Sequence, residues 1–293
     1  MAHATYPARP LAVVEADGNA STGRHSRVRA MLARLAPPGA VLVAFVGIWT
    51  LVSYTAFSPD QRFLLPPPAQ VVRIGFLDWT NFSEILDGLR VTGLVALLAF
   101  VLSSVIGIGF AIAMSEAKWI ERSFYPFAVA LQTLPFLAIV PLVGFWFGYD
   151  TVSEVVVTTI VSLFPITTNT LLGLQSTDLG HADLFRLHSR SRLTRLVRLR
   201  LPGALPSLFN GLRISAGLCV IASIVTGFFI QSGTPGIGGL LDQYAADLQS
   251  ERLLAALIMT SALGILIYLA IGAIAHRIMG KWHTAYHLER RDD

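Results

Sequence analysis

Residues 91–114, VTGLVALLAFVLSSVIGIGFAIAM, form the most apolar stretch of the chain and carry no charged side chain. A helix of about 20 mostly apolar residues is long enough to cross the hydrocarbon core of a bilayer, which is about 30 Å thick. Five further stretches have comparable length and character: 39–57, 126–149, 152–173, 212–230 and 253–278. The sequence therefore predicts an all-α membrane protein, a six-span helical bundle within residues 39–278.

The composition of the whole chain agrees with a protein that faces lipid. Of its 293 residues, 54% are hydrophobic and only 14% are charged, with a mean hydropathy of +0.62. A soluble domain has about 25% charged residues, because its surface must face water. The single cysteine, Cys219, excludes an internal disulfide and a cysteine-cluster metal site.

The distribution of lysine and arginine predicts the orientation of the spans. If the N-terminus is cytoplasmic, 18 of the 22 basic residues fall on the inner side. The outer side then keeps Arg62, Arg73, Arg90 and Arg252. Cytoplasmic loops are enriched in basic residues, so we expect a multi-pass protein of the bacterial inner membrane with both termini inside. This placement explains the net charge of +4 without nucleic acid as a partner.

The segments outside the spans have their own patterns. Residues 1–38 form a predicted N-terminal tail without a signal peptide, and apolar spacing over 25–35 predicts a short helix on the inner leaflet, with a disordered flank as the alternative. Residues 279–293 form a predicted C-terminal tail. Three consecutive prolines, 66–68, predict an extended elbow outside. An amphipathic helix over 82–89 is expected to lead into the second span.

A cytoplasmic loop, about 175–206, joins the fourth and fifth spans. Two short helices with a bend near Ser189 would expose the apolar side chains of Leu184, Phe185 and Leu187. Exposed apolar groups on a charged, membrane-proximal element are typical of a protein contact. A basic loop on lipid head groups would explain the arginines between Arg186 and Arg200, so both interpretations stay open at this point.

The loop resembles one found in permeases of binding-protein-dependent ABC importers. Their pattern is Glu-Ala-Ala, three residues, Gly, eleven residues, then Leu-Pro. Alignment on Leu201-Pro202 places Asp183 at the glutamate, Leu184 and Phe185 at the alanines, and Ser189 at the glycine. Bulky residues at both alanine positions are a departure from the family pattern.

The flanking sequence is similar to the same family over roughly residues 60–275. The matching stretches are Leu65 to Pro68, Thr133 to Gly148, Phe164 to Gly173, Leu201 to Pro206 and Gly211 to Ile214. The closest branch imports nitrate, sulfonates, taurine and pyrimidine-type vitamin precursors. That branch often has an acidic residue where this chain has Gly227-Phe228, so a role for that acid is not carried over.

This resemblance implies a type I ABC importer permease that acts by conformational coupling. The implied partners are a separate ATPase subunit, an extracytoplasmic substrate-binding protein and a second permease copy, with a homodimer expected. The ATPase would dock on Asp183, Leu184, Phe185, Leu187 and Ser189. The chain has no phosphate-binding loop of its own, and we predict no catalytic residue, no metal site and no cofactor.

Polar groups in or beside the spans are candidates for lining a pathway. Gln132, Asn169, Asn210 and Gln231 carry amides that are costly to leave unpaired in lipid. Hydrogen bonding between helices is the favoured interpretation of each, and solute contact is the alternative. A different class, the ion-gradient-driven secondary transporter, would usually carry carboxylates at mid-depth or an inverted repeat. Neither is evident in the sequence.

Overall fold

The computed structural model describes residues 23–133, 135–176, 191–230 and 233–279, and all regular elements in these ranges are helical. The chain divides into two compact units, residues 1–56 and residues 57–293. Each unit is described by itself.

The first unit contains a single described helix, α1 (Gly23–Thr55). Its apolar part, Ala36–Thr55, is 20 residues long and matches the first predicted span. The hydroxyls of Thr50 and Thr55 each donate to a carbonyl four residues earlier, so these polar groups are satisfied within the helix. The short helix expected over 25–35 lies within α1 and is continuous with the span.

The second unit begins with an irregular approach to its first long helix. A 3₁₀ turn (Pro59–Gln61) precedes α2 (Pro68–Val71) and a π-helical turn (Val72–Leu77). Pro67 is extended, as the proline run predicts, and Pro68 occupies the first turn of α2, where no amide proton is needed. The long helix α3 (Trp79–Glu116) starts at Asp78, whose carboxylate accepts a hydrogen bond from the Thr80 amide. The amphipathic helix expected over 82–89 is thus the beginning of α3.

The third predicted span is not one continuous helix. It consists of α4 (Lys118–Thr133) and α5 (Phe136–Phe147), with Pro135 extended at the start of α5. Pro135 has no amide proton to bond the preceding turn, and its backbone is extended, whereas Pro126 and Pro141 lie inside the two helices. Five helices in the described ranges are long and apolar enough to span a membrane, so six uninterrupted spans are not confirmed.

The remaining elements complete the bundle. They are α6 (Thr151–Gln175), α7 (Arg192–Arg195), a π-helical turn (Leu196–Arg200), α8 (Leu201–Phe229), α9 (Ile237–Ala246) and α10 (Ser250–Met279). Helix α6 packs against both α3 and α8, and α8 packs against α10.

The two spans with the weakest hydropathy form the centre of this unit. In the apolar windows of α6 and α8, 44% of the residues are buried, against 22% in α10. Hydroxyl side chains lie in the interior of these helices, among them the fully buried Thr158, Ser162, Thr170 and Ser215. Their lower hydropathy is explained by their position, because they face other helices and not lipid.

Candidate functional site

The predicted ATPase-docking residues Asp183, Leu184, Phe185, Leu187 and Ser189 lie outside the described residues. The chain is described up to Ser176 and again from Ser191. Both flanks of this loop are capped by serine. The Ser176 hydroxyl donates to the Gly173 carbonyl at 2.9 Å, and the Ser191 hydroxyl accepts from the Thr194 amide at 3.4 Å.

Both flanks are also tied to the connection between α3 and α4. Arg200 donates to the Glu116 carboxylate at 3.1 Å and to the Ser115 carbonyl at 3.4 Å. On the other flank, the Gln175 amide donates to the Glu121 carboxylate at 3.0 Å. The Arg200 and Glu116 side chains are only 28% and 27% exposed, so solvent screens their ion pair less than a surface pair.

An apolar cluster lies beneath these polar contacts and joins the ends of four elements. Its members are Ala111 and Met114 of α3, Leu171 and Leu174 of α6, Leu196 of the π-helical turn and Ala204 of α8. Each is at most 8% exposed. Interiors packed this closely transmit displacement, because their side chains have no free volume in which to absorb it. A movement of the loop would therefore reach three spans together.

Not all apolar residues of this region point into that cluster. The sequence places Leu193, Leu196 and Val197 on one helical stripe. Leu196 is buried, but Leu193 and Val197 are 69% and 53% exposed. The described part of the loop thus presents apolar side chains beside the arginines.

Two of the predicted pathway residues meet at the α6–α8 interface. The Asn210 amide donates to the Asn169 side-chain oxygen at 3.1 Å, and the Asn169 amide donates to the Pro165 carbonyl at 2.9 Å. Asn210 is exposed and Asn169 is half-buried. The pair therefore fixes α6 against α8 and leaves polar atoms on the accessible surface of the unit.

The backbones of α6 and α8 approach closely at Gly211. The sequence alone did not indicate this role. A Cβ atom at Gly211 would lie 2.8 Å from the Pro165 carbonyl oxygen and 2.9 Å from the Asn169 Cβ. One turn further, the Ser215 hydroxyl donates to the Ser162 carbonyl at 2.7 Å. Glycine permits this approach, as small residues do at contacts between membrane helices.

The other two predicted residues have different surroundings. Gln132 is exposed and borders an apolar cavity of about 110 Å³ between α3, α4 and α6. The cavity is lined mainly by aromatic and aliphatic side chains, including Phe110, Phe124, Phe127 and Phe164. Gln231 lies outside the described residues.

At the opposite end of the bundle, which is predicted to face outward, polar contacts join α3, α9 and α10. Arg252 lies 3.8 Å from the Glu84 carboxylate and 5.9 Å from the centre of the Tyr244 ring. Burial raises the pKa of Tyr244 above its ordinary value, and the negative charge of Glu84 raises it further. The Ile237 amide donates to the Thr92 hydroxyl at 2.8 Å and attaches α9 to α3.

Gly227, one of the two residues that stand where the acid is missing, is buried in this region. A Cβ atom there would lie 3.4 Å from the Gly238 Cα of α9. An added Cβ would therefore be in van der Waals contact with the backbone of α9.

Comparison with known proteins identifies relatives along most of the chain. A family model described as "Binding-protein-dependent transport system inner membrane component" matches residues 103–280. The formylaminopyrimidine transport permease protein ThiX of Halalkalibacterium halodurans is 34% identical over 232 residues, which cover 78% of this chain and 89% of that protein. The putative aliphatic sulfonates transport permease protein SsuC of Escherichia coli K12 is 30% identical over 262 residues, covering 89% and 97%.

Solved structures show the same fold. A chain of the MetNI methionine ABC transporter in an inward-facing conformation superposes with a TM-score of 0.62 at 17% identity. The match covers 69% of this chain and 99% of that chain. An amino acid ABC transporter solved with histidines gives a TM-score of 0.55 at 16% identity.

Proposed function

Because the chain belongs to the family of inner membrane components of binding-protein-dependent transport systems, we propose that it forms half of an ATP-driven import pathway for a small polar solute. The observation that carries this proposal is the match to permease proteins along more than three quarters of the chain. A binding protein would deliver the solute from outside. We propose that both tails, 1–38 and 279–293, are cytoplasmic, on the strength of the arginine and lysine distribution.

The relatives suggest the range of solutes. Their names specify formylaminopyrimidine, aliphatic sulfonates, riboflavin, taurine, nitrate and bicarbonate. We propose a solute within this range, with a pyrimidine or vitamin precursor as the first to test, since the relative named for formylaminopyrimidine is 34% identical.

ATP hydrolysis belongs to a separate subunit in this proposal. That subunit docks on the loop residues Asp183 to Ser189. Three observations support the site: both loop flanks are anchored, an apolar cluster lies under them, and Leu193 and Val197 are exposed nearby. A rigid base would convert closure of the ATPase into movement of α3, α6 and α8 together.

A second copy of the chain would complete the pathway. Helix α8 has an exposed stripe in which Ile214, Ile221 and Phe228 follow at seven-residue spacing and Asn210 lies one turn before Ile214. Gly217 lies on the same side, and nothing occupies the space within 4 Å of its Cβ position. We assign this stripe and the Asn169–Asn210 pair to the pathway or its two-fold interface, which in a homodimer is self-complementary.

The docking site is tested by replacing Phe185 with aspartate. We expect the ATPase subunit to be lost from the purified complex and ATP-dependent uptake to fall to background, because a charge would be placed in an apolar contact. Phe63→Asp is the matched control, since Phe63 is 39% exposed on the side predicted to face outward. Co-purification and uptake of Phe185→Asp at the level of the unaltered protein would show that the ATPase binds elsewhere.

A further inference from the structure

Arg213 is a charged residue inside a helix that spans the membrane. About 20 residues of α8, counted back from its end at Phe229, cross the hydrocarbon core and reach position 210. Arg213 therefore lies just within the apolar layer, near its predicted inner rim. A long arginine side chain at this rim reaches towards the head-group region, where an anionic group can pair with it.

The described residues provide an aromatic ring for this guanidinium, but they provide no anion. Its carbon atom lies 5.0 Å from the centre of the Tyr268 ring of α10. The Arg213 Nε atom is buried and has no hydrogen-bond partner among the described residues. Arg90, Arg200 and Arg252, by contrast, each lie within 4 Å of a carboxylate among the described residues.

The guanidinium packs directly against the neighbouring helix at a glycine. A Cβ atom at Gly272 would lie 3.0 Å from Arg213 Nη2, so a larger residue there would press on the charged group and shift it. Tyr268, Gly272 and His276 follow at four-residue spacing and share one face of α10. This face runs along the edge of the packed α8–α10 interface, where Ala216, Ile271 and Ala275 are buried.

The surroundings of this edge match a lipid molecule. Ile265 and Leu269 of α10 are 61% and 59% exposed, as expected for side chains that contact acyl chains. Within the part of the chain that the structure describes, this edge thus combines an apolar wall, an aromatic ring, a glycine that admits the guanidinium and an arginine without a carboxylate partner.

We propose that Arg213, Tyr268 and Gly272 form a binding site for the phosphate of an anionic phospholipid. The phosphate oxygens accept hydrogen bonds from the guanidinium, whose cost of burial the negative charge offsets. A neutral zwitterionic lipid satisfies the hydrogen bonds but supplies no net charge. The site therefore prefers phosphatidylglycerol to phosphatidylcholine.

Native mass spectrometry of the delipidated full chain, titrated separately with phosphatidylglycerol and phosphatidylcholine, tests this preference. For Arg213→Gln we expect the preference for phosphatidylglycerol to fall about fivefold. Gly272→Ala keeps the charge but crowds the guanidinium, and it should lower the preference as well. Arg277→Gln is the control, because it removes an exposed arginine from the same end of α10. Excess inorganic phosphate should not displace the lipid, since it lacks acyl chains.

Three results would overturn the proposal. The first is an unchanged preference in Arg213→Gln, and the second is an equal loss in Arg277→Gln, which would indicate general attraction to basic residues. The third is displacement of the bound lipid by inorganic phosphate, which would indicate that the site binds a free anion. Circular dichroism of each variant checks that it is folded, and Arg213→Lys, which keeps the charge, should retain part of the preference.

Discussion

Replacement of Gly211 by alanine is the most direct perturbation of the α6–α8 interface. The added methyl group would lie 2.8 Å from the Pro165 carbonyl oxygen and 2.9 Å from the Asn169 Cβ. The first contact is a backbone atom within a helix, so it cannot move aside without moving α6. The Asn169–Asn210 hydrogen bond, 3.1 Å long, would lengthen with the separation of the helices.

The magnitude follows from three contributions. Overpacking of a closely packed core costs about 1–3 kcal/mol, and here the upper half applies because backbone is displaced. Loss of the hydrogen bond between the helices adds about 0.6 kcal/mol. Alanine regains up to about 1 kcal/mol through its higher helix propensity. The net loss in free energy of unfolding is therefore about 2–3 kcal/mol.

The assay is unfolding in mixed micelles with increasing sodium dodecyl sulfate, followed by circular dichroism. Gly109→Ala is the matched control, because Gly109 lies within α3 and has no heavy atom within 4 Å of its Cβ position. That variant should be neutral or slightly more stable. If Gly211→Ala and Gly109→Ala unfold at the same detergent fraction, the close approach of α6 and α8 does not limit stability.

Two further predictions concern the loop base and the orientation. Arg200→Gln removes the ion pair with Glu116 and should lower the free energy of unfolding by about 1 kcal/mol. ATP-dependent uptake should fall by more than this loss of stability explains. Uptake equal to that of the unaltered protein would contradict a role for the loop base. Single cysteines at Asp87, Ser189 and Gln243 in a Cys219→Ser background should react with an impermeant thiol reagent in intact cells at 87 and 243 only, and labelling at 189 would contradict the orientation.

The spans could be predicted because transfer of apolar side chains into lipid leaves a direct signal in hydropathy. The break at Pro135 was missed for the same reason: Leu134-Pro135 is apolar and adds to the hydropathy of the stretch, although proline ends a helix through its backbone. The beginning of α3 was missed because its first turns are amphipathic and resemble a separate helix. Hydropathy indicates whether a segment lies in lipid or in water, but it does not indicate whether the segment forms one continuous helix.

The polar positions could be found from sequence, but their partners could not. Asn169 and Asn210 are 41 residues apart, and only the packing of α6 on α8 brings them together. Gly211 stands in a stretch that the family resemblance already identified, yet its role depends on the distance to a neighbouring backbone. Arg213 was counted on the cytoplasmic side from the charge distribution, and its contact with Tyr268 of α10 could not be read from the sequence.

We predict that this permease moves solute only when ATP hydrolysis drives transport. Reconstitution of the purified chain in liposomes, with radiolabelled formylaminopyrimidine and an aliphatic sulfonate as probes, tests this claim. We predict uptake of a probe only when the ATPase subunit, the binding protein and ATP are all present, and no uptake when a proton or sodium gradient replaces ATP. Accumulation of a probe by the chain alone, driven by either ion gradient, would contradict the account and identify a secondary transporter.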